Sequence, residues 1–170
     1  MKTIKGFITI ISLTVMFSAA AAAQTVLTTL DGGRVDLDNQ KGKVVVLAVG
    51  AAWLPLSAKQ AEYTNALAKK YAGKDVVFYF VATDSTNVKS KNFMSPEDIR
   101  KFAFTNKINV PVLRDSDGAV TLKKYDIDQV PSFVILNKNG VRVGEPFGGI
   151  STDPKYDLTI PISRAIDKIL

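Results

Sequence analysis

Cysteine and histidine are both missing from this 170-residue chain. Without cysteine there is no thiolate nucleophile and no disulfide. Without histidine there is no imidazole base, and most zinc and copper sites disappear with the two residues together. No metal site is expected. No cofactor is expected either, because no glycine-rich nucleotide loop or haem motif occurs in the sequence. Asp115 and Asp117 with Gly118 resemble the opening of a calcium loop, but the further acidic ligands are missing, so a polar turn is expected. A clustered basic face is also lacking. The net charge is +6, yet Lys69, Lys70, Lys89, Lys91, Lys123 and Lys124 are scattered along the chain. A nucleic-acid partner is not expected, since that footprint needs clustered charge.

Hydrophobic residues make up 46% of the chain, which argues against a disordered chain, and 170 residues suffice for one buried core. Residues 1–23 read as a secretory signal. Lys2 and Lys5 precede the apolar run Phe7 to Phe17, and Ala21-Ala22-Ala23 fits a small-x-small cleavage site before Gln24. The apolar run ends in alanines and falls short of the ~20 strongly apolar residues of a spanning helix. The expectation is therefore an exported protein, periplasmic or secreted, with no stable membrane span after cleavage. One domain over residues 24–170 would follow.

Val26 to Thr29 and Arg34 to Leu37 flank Asp31-Gly32-Gly33 and predict an N-terminal β-hairpin. Val44 to Val49 is continuously apolar, as in a strand buried on both faces. Pro55 and Ser57 mark a helix start, with Ser57 as a capping candidate, and the helical spacing runs from Leu56 to Tyr71 before Gly73. Val76 to Ala82 predicts a second strand and Thr83 to Asn92 a polar loop, in which Asp84 is a loop ligand or a cap. Ser95-Pro96-Glu97-Asp98 opens a helix to about Thr105. A turn at Asp115 to Gly118 leads to a short helix over Ala119 to Tyr125. Ser132 to Leu136 is a third strand, and Asn137-Lys138-Asn139-Gly140 turns it into a fourth at Val141 to Val143. Ile162, Ile166 and Ile169 share one face of a closing helix over Ile160 to Leu170, with Pro161 in its first turn. Strands joined by helices, followed by an antiparallel hairpin and a helix, predict an α/β sandwich with a mixed central sheet.

This order resembles the thioredoxin fold, and more closely the TlpA/ResA branch of exported thioredoxin-like proteins, which overlaps the AhpC/TSA redoxins. Gly42-Lys43-Val44-Val45-Val46-Leu47 matches the strand entry of that family. Ala52-Trp53-Leu54-Pro55-Leu56-Ser57 aligns with its Trp-Cys-Pro-Pro-Cys loop. Tyr125 to Ile135, containing Val130-Pro131, resembles its proline segment, and Gly148-Gly149 fall where it has glycines. The likeness covers nearly all of Gln24 to Leu170 and implies a three-layer thioredoxin-like sandwich.

In that family a helix N-terminus favours the thiolate of the first cysteine, which attacks a substrate disulfide, and the second cysteine resolves the product. Leu54 and Ser57 occupy those two positions here. Disulfide exchange by this chain alone is expected to be absent rather than slow, and no catalytic residue is assigned. Ser57 lacks a histidine base, and the spacing to Lys59 does not favour a shared helical face. The resemblance also implies a cis proline at Pro131 facing the loop, with the preceding residue pairing to an extended peptide. Either that docking edge survives here or Pro131 serves only the turn.

Two functions follow, beside the plainer expectation of a structural or assembly subunit with no ligand groove. The first is a binding module for an extended peptide or an exported protein, built from Trp53, Leu54, Pro55, Val130 and Pro131. The alternative is an oxidoreductase acting only with a partner that supplies the redox centre.

Overall fold

The computed structural model describes residues 25–40, 42–153 and 155–170. The expected signal at 1–23 lies outside the described residues. Six strands form one sheet: β1 (Val26–Thr29), β2 (Arg34–Asp36), β3 (Val44–Gly50), β4 (Val76–Ala82), β5 (Val112–Arg114) and β6 (Ser132–Leu136). Four helices accompany them: α1 (Leu56–Lys70), α2 (Pro96–Thr105), α3 (Thr121–Lys124) and α4 (Thr159–Asp167). The sheet order is β2-β1-β5-β4-β3-β6. Strands β3, β4 and β5 run parallel, whereas β6 pairs antiparallel with β3, and β1 pairs antiparallel with β5 and β2.

Alternation along the central strands divides the core in two. Val44, Val46 and Ala48 of β3, with Phe78 and Phe80 of β4, meet Tyr63 and Leu67 of α1, Ile99 of α2, and Ile162 and Ile166 of α4. Val45, Leu47 and Val49, with Tyr79 and Val81, face Leu27, Leu37, Tyr125 and Ile127 on the other side. Both faces of β3 are therefore covered, which is why its sequence is apolar throughout. Helix α2 begins as its sequence predicts. Ser95 accepts the Asp98 N–H, and the Asp98 carboxylate accepts the Ser95 N–H, both at 3.1 Å.

Three expectations are corrected. Strand β5 was not foreseen. It has only three residues behind Pro111, too few for a period to register. It nevertheless joins the N-terminal hairpin to the parallel centre. Val141 to Val143 does not form a full strand. It touches β6 through one isolated bridge, Leu136 with Arg142, and Phe147 beyond it makes a second with Phe133. Gly144 at φ 68 interrupts the extended run, and Pro146 has no N–H to pair. Helix α4 starts one residue early and stops at Asp167. Asp157 Oδ1 accepts the Thr159 N–H (2.9 Å) and hydroxyl (2.7 Å) there, and Pro161 keeps its place in the first turn.

Candidate functional site

The loop between β3 and α1 carries Trp53, Leu54 and Pro55. It is a tight turn: the Leu54 N–H donates to the Ala51 carbonyl, and the Ser57 N–H to the Leu54 carbonyl, both at 3.0 Å. Trp53 is 42% exposed, Pro55 is exposed and Leu54 is half-buried. Ser57 does not cap α1. Pro55 takes the capping position without a side-chain hydrogen bond, and Ser57 lies inside the helix, fully buried. Its Oγ accepts the Ala51 N–H at 3.3 Å, tying the helix back to the strand end.

A Ser-Lys dyad is not formed. The Lys59 ammonium binds Glu62 at 2.7 Å, and that contact raises its pKa, so it stays charged and cannot accept a proton.

Asp84, just after β4, settles as an acceptor for the loop rather than a free ligand. It is fully buried, and its two carboxylate oxygens accept the Ala52 N–H (3.0 Å) and the Trp53 N–H (3.4 Å). Burial pushes its pKa up. The two N–H donors and the nearby Arg114 charge offset only part of that rise.

Sequence reasoning missed Gln60, which is fully buried beneath the loop. Its Nε2 donates to the carbonyls of Val49 (3.1 Å) and Ser132 (2.7 Å), joining α1 to β3 and β6 at once. Gly50 is glycine because a Cβ there would lie 2.2 Å from Gln60 Oε1. The available signal was a polar stripe: Ser57, Gln60 and Thr64 recur at helical spacing beside Ala61, all buried.

Val130 and Pro131 stand opposite the loop, and their peptide bond is cis. Pro131 is buried and Val130 half-buried. Among the described residues the Val130 N–H and carbonyl have no hydrogen-bond partner. Trp53, Ala51, Leu122 and Val130 line one cavity of about 180 Å³. Of the five residues predicted to bind, Trp53 and Val130 are thus brought together. Leu54, Pro55 and Pro131 do not line the cavity.

The calcium-like turn is a structural cap. Asp115 is buried and accepts the N–H groups of Val120 (3.1 Å) and Thr121 (2.7 Å) and the Thr121 hydroxyl (2.7 Å). No group of three acidic, histidine or cysteine side chains is placed for a metal among the described residues.

The Redoxin family model matches residues 17–156. The chain belongs to the Redoxin family. Within it, the chain is 29% identical over 124 residues to the thiol-disulfide oxidoreductase ResA of Bacillus thuringiensis, an alignment covering 73% of this chain and 66% of that protein. The chain thus spans just under two thirds of the length of that relative. The pneumococcal exposed lipoprotein thioredoxin Etrx1 from Streptococcus pneumoniae superposes with a TM-score of 0.67 at 25% identity, covering 86% of this chain and 99% of that one. A secreted Mycobacterium tuberculosis disulfide oxidoreductase superposes at 0.62 with 22% identity, covering 85% and 96%. The thioredoxin-like fold is shared, and this member of the Redoxin family carries it without a cysteine.

Proposed function

We propose that this chain is an exported binding module that holds an extended polypeptide segment and has lost thiol-disulfide chemistry. The observation that carries the reading is the unpaired main chain of Val130 beside the exposed ring of Trp53, both on one cavity. A free N–H and carbonyl at one residue offer strand-like pairing, and an adjacent apolar wall receives a side chain. The redox route is closed at the level of atoms: leucine has no nucleophile, and serine cannot form a disulfide. Export is supported by the leader-like residues 1–23 and by the description of two structural relatives as secreted or exposed.

The second reading, an oxidoreductase whose partner brings the redox centre, draws on the activity named for ResA. One pair of assays separates the two. The pure protein should reduce insulin disulfides no faster than a buffer blank. It should bind reduced, carboxymethylated α-lactalbumin, a permanently unfolded probe, and Trp53→Ala should lose that binding with an unchanged melting temperature. Turnover by the pure protein, or binding indifferent to Trp53→Ala, would sink the binding-module reading.

A further inference from the structure

The cavity beside Trp53 is small and chemically uneven. Its volume of about 180 Å³ is below the roughly 300–1,000 Å³ of small-molecule sites. It suits one side chain rather than a cofactor. Trp53, Leu122 and Val130 line it with apolar side chains, and Asn92 and Asp117 line it with polar ones.

Asp117 is held in place by independent contacts. Its N–H donates to the Thr83 carbonyl at 3.1 Å, just past the end of β4. The hydroxyls of Ser85 and Ser116 both donate to one carboxylate oxygen, Oδ2, at 3.1 and 2.9 Å. Its backbone lies at φ 56, a conformation aspartate tolerates better than most residues. The other oxygen, Oδ1, has no hydrogen-bond partner among the described residues, and no lysine or arginine there pairs with Asp117.

A fixed, solvent-exposed carboxylate with one open oxygen, lining the same cavity as Trp53, is complementary to a basic side chain. The aliphatic stem of lysine or arginine would lie along the apolar side chains, and the cationic head would meet Oδ1 and the indole face. A glutamate would meet like charge. A purely apolar side chain would strip water from Asp117 without replacing it. We propose that the segment bound here places a lysine or arginine in the Trp53–Asp117 cavity. This rests on the groove reading above and names the chemistry of its occupant. The chain is itself cationic, at +6, so no long-range field draws basic segments in. The preference is local and belongs to Asp117.

The test uses fluorescein-labelled Ser-Val-Xaa-Val-Ser peptides, with Xaa as lysine, arginine, methionine or glutamate, titrated with the full chain by anisotropy. The lysine and arginine peptides should bind about threefold to tenfold tighter than the other two, as expected for an exposed ion pair together with a cation–π contact to Trp53. Asp117→Asn should erase that preference by weakening the lysine and arginine peptides, while the methionine peptide should bind no worse than to the parent. Asparagine accepts the same hydroxyl bonds and the same φ. Asp117→Gly, which also tolerates positive φ, serves if the asparagine variant fails to fold. Equal binding of all four peptides, still lost in Trp53→Ala, overturns the cationic preference and leaves the groove standing. Failure of every peptide to bind overturns both.

Discussion

The buried carboxylate of Asp84 accepts the main-chain N–H of Trp53 at 3.4 Å and that of Ala52 at 3.0 Å, so a residue at the end of β4 holds the exposed loop after β3. Charge-assisted hydrogen bonds of this kind contribute about 1.5–3 kcal/mol each. Burying the carboxylate costs several, which is why its pKa is raised rather than lowered.

Loss of that tie should therefore be visible at Trp53, the single tryptophan of the chain. Asp84→Ala is expected to shift Trp53 emission to the red and to destabilise the fold by about 1–3 kcal/mol. The parent emission should also titrate above the ordinary aspartate range, and Asp84→Asn should remove that step. The sign for stability follows from linkage. The folded chain binds this proton more tightly than the unfolded chain, so the contribution is greatest below the ordinary aspartate value. It declines as pH rises through the interval up to the raised one. Emission and urea denaturation across pH 3–7 check both statements.

Asp38 should act in the opposite direction. Burial raises its pKa, but the Thr25 N–H (2.8 Å) and the Lys124 ammonium (3.0 Å) outweigh that and hold it below the usual range. Its contribution is present above the ordinary aspartate value and is lost as pH falls through the lowered one. Asp38→Asn is expected to flatten the acid limb of a stability-pH curve, measured by thermal melts. A limb as steep as the parent's would count against the ion pair.

Gly50 and Gln60 should be energetically coupled. Gly50→Ala sets a Cβ against Gln60 Oε1 and is expected to cost about 1–3 kcal/mol through overpacking. Gln60→Ala leaves the Val49 and Ser132 carbonyls without their donor, at a similar cost. The double variant relieves the clash, so its loss should be smaller than the two losses added. A double-mutant cycle by chemical denaturation reads that difference, and simple additivity would contradict the geometry.

Thiol chemistry should return only when both positions are changed. Leu54→Cys with Ser57→Cys puts two thiols at the start of α1, where the helix N-terminus favours thiolate. Insulin reduction is expected from the double variant and from neither single one. An inactive double variant that still folds would mean that the loop geometry has drifted along with the side chains.

Much of the fold was legible because its central strands are covered on both faces. Val44 to Gly50 and Val76 to Ala82 announce themselves as unbroken apolar runs, and Ser95 to Asp98 announces a helix by its own hydrogen bonds. The short β5 was not legible, because its strand character comes from two neighbours distant in sequence. Val141 to Val143 was read as a strand from its valines, but Gly144 and Pro146 decide otherwise. In the candidate site, Trp53, Leu54 and Ser57 stand out in the sequence because the residues around them resemble a family loop. Gln60 looks like any single polar residue on a helix, and Asp117 like any residue of a polar turn, because their partners are distant in sequence.

By itself the sequence determined that this chain brings no thiol and no imidazole of its own, since no folding can supply a group that the chain does not encode. It also determined which segments are strands and helices wherever burial is uniform along a run. Only the tertiary structure decided that Asp84 faces the loop N–H groups, and that Val130, Trp53 and Asp117 line one cavity. Those residues lie far apart along the chain, and their meeting depends on strand order and on how each strand ends, which local periodicity does not carry.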